Sequence, residues 1–262
     1  MGSIDVKEHN RYVHMAEPEI VSEHGRHVSE QEYWEKYYEH PDFRYEWNNG
    51  ILEELSVSDF KNNTMYYWFS RLFGCYFDIK KNGKVLLGDF GFRLDLPYTL
   101  SIRKPDLAIV LIDNATSLND DDRSFKGIFD VCVELISDAT KRDIKRDTVD
   151  KVIEYETAGV REYYILDASK KYMAFYRLNE EGIFVPIKRK DGDIVESEVL
   201  DGFRFRISDL SRQPPLEELA HDELYYDFVI PSLKMFKHRA EQEKQRADLL
   251  AAKLRALGIS ID

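Results

Sequence analysis

Two short runs limit the fold of this chain more than any other feature: PDLAIVLI (105–112) and FDVCVELIS (129–137). Both are almost continuously apolar, the pattern of strands covered on both faces rather than of strands that wet every second side chain. A strand buried on both faces needs a layer on each side of its sheet, so helices must pack around it. The intervening sequence supplies them. Ser29, with Glu32 three positions on, forms a capping box that opens a helix. Tyr33, Trp34, Tyr37 and Tyr38 turn one face of it to the core, and His40-Pro41 ends it. Asp59 caps a second helix reaching about Asp78, with Met65, Phe69, Leu72, Phe73 and Tyr76 in one stripe. A third fills about 142–158 and stops at Gly159.

The remaining strands follow from alternation and turn chemistry. FRYEW (43–47) and ILEELS (51–56) form a hairpin around Asn48-Asn49-Gly50, where Asn-Gly tolerates positive φ. KVLLGDFGFRLDL (84–96) reads as one long strand interrupted near Gly88 or Gly91. EYYILDAS (162–169), KYMAFYRL (171–178) and IFVPIKR (183–189) are strands joined by tight turns. The expectation is an α/β fold, a mixed sheet flanked by helices, over residues 29–212.

Two flanking segments differ. Residues 1–28 are polar and weakly patterned and read as a loose N-terminal arm. Residues 222–258 turn to Glu, Lys, Arg, Gln, Ala and Leu. Leu233, Phe236, Ala240, Glu243, Ala247, Leu250, Leu254 and Leu257 alternate steps of three and four, a heptad seam interrupted by Glu243. It predicts a C-terminal coiled-coil helix joining a homodimer; the alternative is one amphipathic helix folded back on the domain.

Composition bounds the function. The formal net charge of −12 counts against nucleic acid, since phosphate contacts need Lys and Arg, although one local basic surface can coexist with it. The opening residues hold no apolar signal core and no stretch is apolar enough to span a bilayer. Cys75 and Cys132 sit in apolar runs and read as free thiols. Together these predict a cytoplasmic protein. Walker A, GxGxxG, HExxH and cysteine zinc spacings are absent, Asp120-Asp121-Asp122 lacks EF-hand spacing and reads as a loop, and Ser137 has no His nearby in sequence to suggest a triad.

The acids inside the apolar strands carry the chemical interest. Asp106 opens LAIVLI and Glu134 lies within VCVELI. Two buried carboxylates on neighbouring strands repel unless a cation or a shared proton lies between them. Hard oxygen ligands with open positions suit Mg²⁺ or Mn²⁺, which can activate water at a phosphodiester. The alternative is a structural ion pair for each acid. Next along the chain, KRDIKRD (141–147) clusters Lys141, Arg142, Lys145 and Arg146, either to grip phosphates or as a solvated helix start.

RYEWNNGILEEL (44–55), RKPDLAIV (103–110), FDVCVELISDAT (129–140), DTVDKVIEYETAGVREYYILD (147–167) and DGFRFRISDL (201–210) stand in an order that resembles the Uma-two family of restriction-endonuclease-like proteins, a branch of the PD-(D/E)XK nucleases. The resemblance covers about 30–212. It implies a restriction-endonuclease-like fold and a Mg²⁺-dependent endodeoxyribonuclease, with Asp106 and Glu134 as metal ligands and Glu46 as an auxiliary acid reaching the metal. The usual lysine position is Ile136 here, and the resemblance moves the lysine to Lys151 on the following helix. Asp147, Lys151 and Tyr155 share a helical face there, so Lys151 either orients or deprotonates the attacking water, steadies the phosphate, or forms a surface pair with Asp147. A His common at the start of the helix after the hairpin is replaced by Phe60, Lys61 and Asn62. Two further functions remain open: a catalytically weak or inactive nuclease fold that binds DNA or protein through its basic face and coiled coil, and an inert scaffold whose buried acids are structural.

Overall fold

The structure, a computed structural model, describes residues 20–136 and 140–256, and of 232–238 and 254–256 the backbone alone. Ser29 caps a helical segment as expected: its side chain accepts from the Glu32 amide, and α1 (Glu30–Glu32) runs on as a π-helical turn over Tyr33–Tyr37. The capping box is only half made, because the Glu32 carboxylate turns to Arg26 and Lys36. Tyr33, Tyr37 and Tyr38 are buried, while Trp34 is half-buried. The hairpin β1 (Tyr45–Asn48) and β2 (Ile51–Glu54) turns at Asn49 and Gly50, both at positive φ (48° and 93°).

Asp59 accepts from the Asn62 amide and starts α2 (Phe60–Lys80), which ends with Lys81 in the left-handed region at φ 52°. The run 84–96 is two strands rather than one. β3 (Gly83–Leu87) and β4 (Phe92–Leu96) belong to different sheets. The chain reverses at Gly88, φ 65°, and Gly91 packs where a Cβ would lie 2.9 Å from the Arg103 carbonyl oxygen. β5 (Thr99–Arg103), absent from the sequence reading, follows; then come β6 (Leu107–Leu111) and β7 (Val131–Leu135).

The expected helix over 142–158 is present as α3 (Lys141–Lys145), a π-helical turn (Arg146–Asp150) and α4 (Lys151–Ala158), with Gly159 at φ 87° ending it. β8 (Glu162–Leu166), β9 (Ala174–Leu178) and β10 (Phe184–Pro186) continue the sheet. A small ribbon of β11 (Ile194–Glu196) and β12 (Arg204–Arg206) leads to α5 (Ile207–Arg212), α6 (Leu216–Leu219) and α7 (Pro231–Ala256).

The central sheet has the order β10-β9-β8-β7-β6-β3; its β7–β8 pair is parallel and its other pairs are antiparallel. The parallel pair forces a crossover, and α3–α4 is that crossover. Alternation sorts the side chains of β6 and β7. Leu107, Ile109, Leu111, Val131 and Val133 face a core shared with α2, while Ala108, Val110 and Cys132 face a second core that includes Tyr155. A second sheet, β2-β1-β5-β4, carries the aromatic cluster of Tyr33, Tyr37, Tyr45 and Trp47.

Both ends depart from the sequence reading. Residues 22–28 are docked, not loose: Val28 is buried, and the amides of Gly25 and Val28 donate to the carbonyls of Leu52 and Gly50. Residues 1–19 of the arm, with His9 and His14, lie outside the described residues. The C-terminal helix begins at Pro231 rather than near 222, because Tyr225, Phe228 and Val229 are buried in the main core. Of the heptad seam, Ala240, Glu243, Ala247 and Leu250 are exposed, so over these positions the helix does not fold back on the domain. The side chains of Leu233, Phe236 and Leu254, and all of Leu257 and Gly258, lie outside the described residues.

Candidate active site

The register of two sheets builds the site. Leu107 pairs with Val133 and Ala108 with Cys132, so one further step sets Asp106 opposite Glu134. Like charges facing each other across a ladder are unfavourable. Asp106 is anchored there by its Oδ2, which accepts the Leu135 amide at 2.8 Å, and by its carbonyl, which accepts the Tyr66 hydroxyl at 2.6 Å. In the other sheet Trp47 pairs with Ile102, and the next step sets Glu46 opposite Arg103. Arg103-Lys104-Pro105-Asp106 is therefore the link that brings one sheet's acid to the other's.

The third contributor is the crossover helix. Alternation turns Glu134 to the face that α4 covers, and Lys151 meets it there. The Lys151 Nζ lies 2.8 Å from Glu134 Oε1, 3.0 Å from Glu46 Oε1 and 3.4 Å from Asp147 Oδ1. Tyr155, one turn on, donates its hydroxyl to the same Glu134 oxygen at 2.9 Å. Lys151 is fully buried, so a surface pair with Asp147 is not its arrangement. Arg103, also fully buried, donates to both Glu154 oxygens at 2.6 Å and to Glu46 at 3.0 Å, and pairs with Glu53. Sequence reasoning missed Arg103 and Glu154. The available signal was Glu154 three positions after Lys151 on one helical face, and an arginine just before the link.

Charge and burial set the protonation states. Burial and the facing charge of Asp106 push Glu134 above the ordinary carboxylate range, against the pull of Lys151. Burial also raises Asp106. Burial alone would raise Glu46, but Lys151, Arg103 and Arg146 outweigh it and hold that carboxyl down. Burial alone would lower Lys151, yet Glu134, Glu46 and Asp147 keep it protonated above the ordinary lysine range. Lys104 makes no ion pair, and burial pushes its ammonium down to about 8 although Asp89, Glu46 and Glu39 pull the other way.

Asp106, Glu134 and Asp147 line one cleft of about 230 Å³, with Arg44, Tyr66, Lys104 and Arg146. Glu46 does not line it: its oxygens are taken by Arg103, Lys151 and the Lys104 amide, so it holds Lys151 rather than facing the cleft. Asp106 Oδ1 and Glu134 Oε2 have no hydrogen-bond donor among the described residues. Two carboxylates with one free oxygen each suit an ion such as Mg²⁺, which takes one or two carboxylates and keeps its waters. Among the described residues no group of three or more His, Cys, Asp and Glu side chains is arranged as an all-protein metal cage.

The basic run is divided. Arg146 is buried and bound to Asp143 and Asp147, which removes it from any exposed patch. Lys141, Arg142 and Lys145 are exposed, with Lys145 paired to Asp150 and Arg142 against His24. Ser137 lies outside the described residues. Asp120, Asp121 and Asp122 are in a loop, as expected.

The comparisons with known proteins agree with this frame. A crystal structure of a "putative nuclease belonging to DUF820" from Anabaena variabilis ATCC 29413 superposes with a TM-score of 0.56, covering 71% of this chain and 98% of that one at 10% identity, a likeness of fold. No curated protein matches the sequence significantly. The family model described as "Putative restriction endonuclease", Uma2, matches residues 30–208. With that match spanning both sheets, the crossover helix and the acidic link between them, the chain belongs to the Uma2 family of restriction-endonuclease-like nucleases.

Proposed function

We propose that the protein is a metal-dependent DNA endonuclease, with Asp106 and Glu134 holding Mg²⁺ or Mn²⁺. The observation that carries this reading is the facing pair itself: two carboxylates set opposite by strand register, each with one oxygen free toward the same cleft. The ion, when bound, lowers the pKa of a water and offsets charge on the phosphodiester. Water attacks phosphorus, the bond to the leaving deoxyribose oxygen breaks, the attacking water gives up a proton to solvent, and the leaving oxygen takes one from solvent.

The chain's own residues position that reaction. Lys151, kept protonated by its acids, is unsuited to accepting a proton; fully buried and held by Glu134, Glu46 and Asp147, it does not line the cleft and acts by fixing Glu134 opposite Asp106. Glu46 and Tyr155 fix Lys151 and Glu134 in place. Exposed Lys141, Arg142 and Lys145 lie on α3, ahead of Lys151 in the same helical run, and contact flanking phosphates. The C-terminal helix pairs two copies through its exposed seam.

The test is plasmid and single-stranded DNA cleavage with Mg²⁺ or Mn²⁺, comparing wild type with Asp106→Asn and Glu134→Gln, and DNA binding of a Lys141→Glu/Arg142→Glu/Lys145→Glu variant. Cleavage should vanish in both acid variants, and binding should weaken and lose salt dependence in the third. Cleavage that persists in both acid variants removes this site from the reaction. DNA binding without cleavage or metal uptake by the wild type points instead to a binding module.

A further inference from the structure

A second cavity of about 490 Å³ adjoins the cleft, and both are lined by Arg44 and Lys104. Tyr38, Phe43 and Phe90 give it aromatic walls. Its arginines are neutralised: Arg44 pairs with Asp89 at 2.8 Å and Arg123 with Glu39 at 2.7 Å. Lys104 is different. It is 3% exposed, donates to the Tyr38 carbonyl and lies 4.3 Å above the Tyr38 ring, but no carboxylate among the described residues pairs with it. Asp89, Glu46 and Glu39 act on it through space without forming an ion pair. An ammonium so deeply buried without a direct partner is costly, and a facing anion would offset that cost. Its seat is rigid. The Tyr38 hydroxyl donates to the Arg123 carbonyl at 2.8 Å and accepts the Gly91 amide at 2.8 Å. A Cβ at Gly91 would lie 3.0 Å from Lys104 Cγ, so the close backbone there holds the lysine stem.

We propose that this cavity is a nucleotide subsite of the cleft, in which Lys104 holds a backbone phosphate beside the scissile one and the aromatic walls receive the unpaired base attached to it. The inference rests on the nuclease reading above and adds a substrate class: DNA that is single-stranded, mismatched or flipped at that nucleotide. The volume falls in the range of small-molecule sites, ~300–1,000 Å³. A base must leave the stack to enter such a pocket, and base–aromatic contact is indifferent to sequence.

The test uses the full chain in EDTA, so that neither metal nor turnover enters. NMR titration compares thymidine 5′-monophosphate with thymidine, and fluorescence anisotropy compares a single-stranded oligonucleotide with its duplex. Wild type should prefer the monophosphate and the single strand. Lys104→Gln should bind the monophosphate roughly tenfold to hundredfold more weakly and lose its preference over thymidine, as expected for one charged hydrogen bond. Leu87→Trp, at an exposed position of the cavity wall, should exclude both nucleoside forms. Equal binding of thymidine and its monophosphate by wild type, no binding of either, an unchanged preference in Lys104→Gln, or wild-type binding by Leu87→Trp overturns the subsite. Nucleotide binding with no cleavage under Mg²⁺ overturns the nuclease reading and leaves the subsite standing; cleavage without nucleotide binding does the reverse.

Discussion

Replacing Lys151 by methionine keeps the aliphatic stem and removes only the ammonium. Glu134, Glu46 and Asp147 then lose a cation at 2.8, 3.0 and 3.4 Å in a site where the lysine is fully buried. Glu46 keeps Arg103 and Asp147 keeps Arg146, so Glu134 is the acid left without a cation. Breaking a buried ion pair in this way costs about 3–5 kcal/mol; an exposed pair costs about 0–1 kcal/mol. For a chain of this size the buried case corresponds to a fall in Tm of roughly 6–20 °C. Thermal and urea melts in EDTA measure it. Adding Glu134→Gln to Lys151→Met removes the carboxylate closest to the lost ammonium, and should recover part of the loss as a coupling energy of about 0.5–3 kcal/mol. Millimolar Mg²⁺ should also recover part of it, since a dication can stand in for the missing charge between the acids. A loss below ~1 kcal/mol in EDTA would refute the reasoning, since it would equate Lys151 with a solvent-exposed pair.

Two more outcomes follow from the same geometry. Because Glu134 is held above the ordinary carboxylate range, it keeps its proton at pH values where most carboxylates have lost theirs, and a metal ion must displace it. Mg²⁺ affinity measured by calorimetry should therefore rise with pH and be accompanied by proton release; pH-independent binding would exclude Glu134 as a ligand. Truncation after Ile230 should turn a dimer into a monomer in analytical ultracentrifugation while shifting domain stability by less than ~1 kcal/mol, as expected for exposed helix positions. A monomeric full-length chain would rule out pairing through this helix.

The sequence on its own determined the local elements and the layered class. Caps at Ser29 and Asp59, the positive-φ turn at Asn49-Gly50 and the left-handed stop at Gly159 are one-residue stereochemical choices, and the structure keeps each of them. The unbroken apolar runs of β6 and β7 required cover on both faces, and α2 and α4 supply it. Asp106 and Glu134 were conspicuous because an acid in such a run needs a reason. Where neighbouring sequence was ambiguous, tertiary pairing decided. Residues 84–96 are divided between two sheets because β4 pairs with β5 and β3 with β6. Residues 24–28 are ordered by the edge of β2, and 222–230 by the core that buries Tyr225, Phe228 and Val229.

The site divides along the same line. Spacing could set Asp147, Lys151 and Tyr155 on one helical face, but only the parallel crossover of α4 over β7 brings that face to Glu134. Glu46 and Asp106 are far apart in sequence; the short link from Arg103 to Asp106 joins the two sheets, and its Lys104 amide donates to Glu46 two residues before Asp106. That arrangement is why Glu46 serves as a holder of Lys151 rather than as an acid facing the cleft, and why Arg146 is spent on Asp143 and Asp147 instead of an exposed patch. Burial, charge pairing and cleft access are properties of contacts between distant residues, and sequence alone carries none of them.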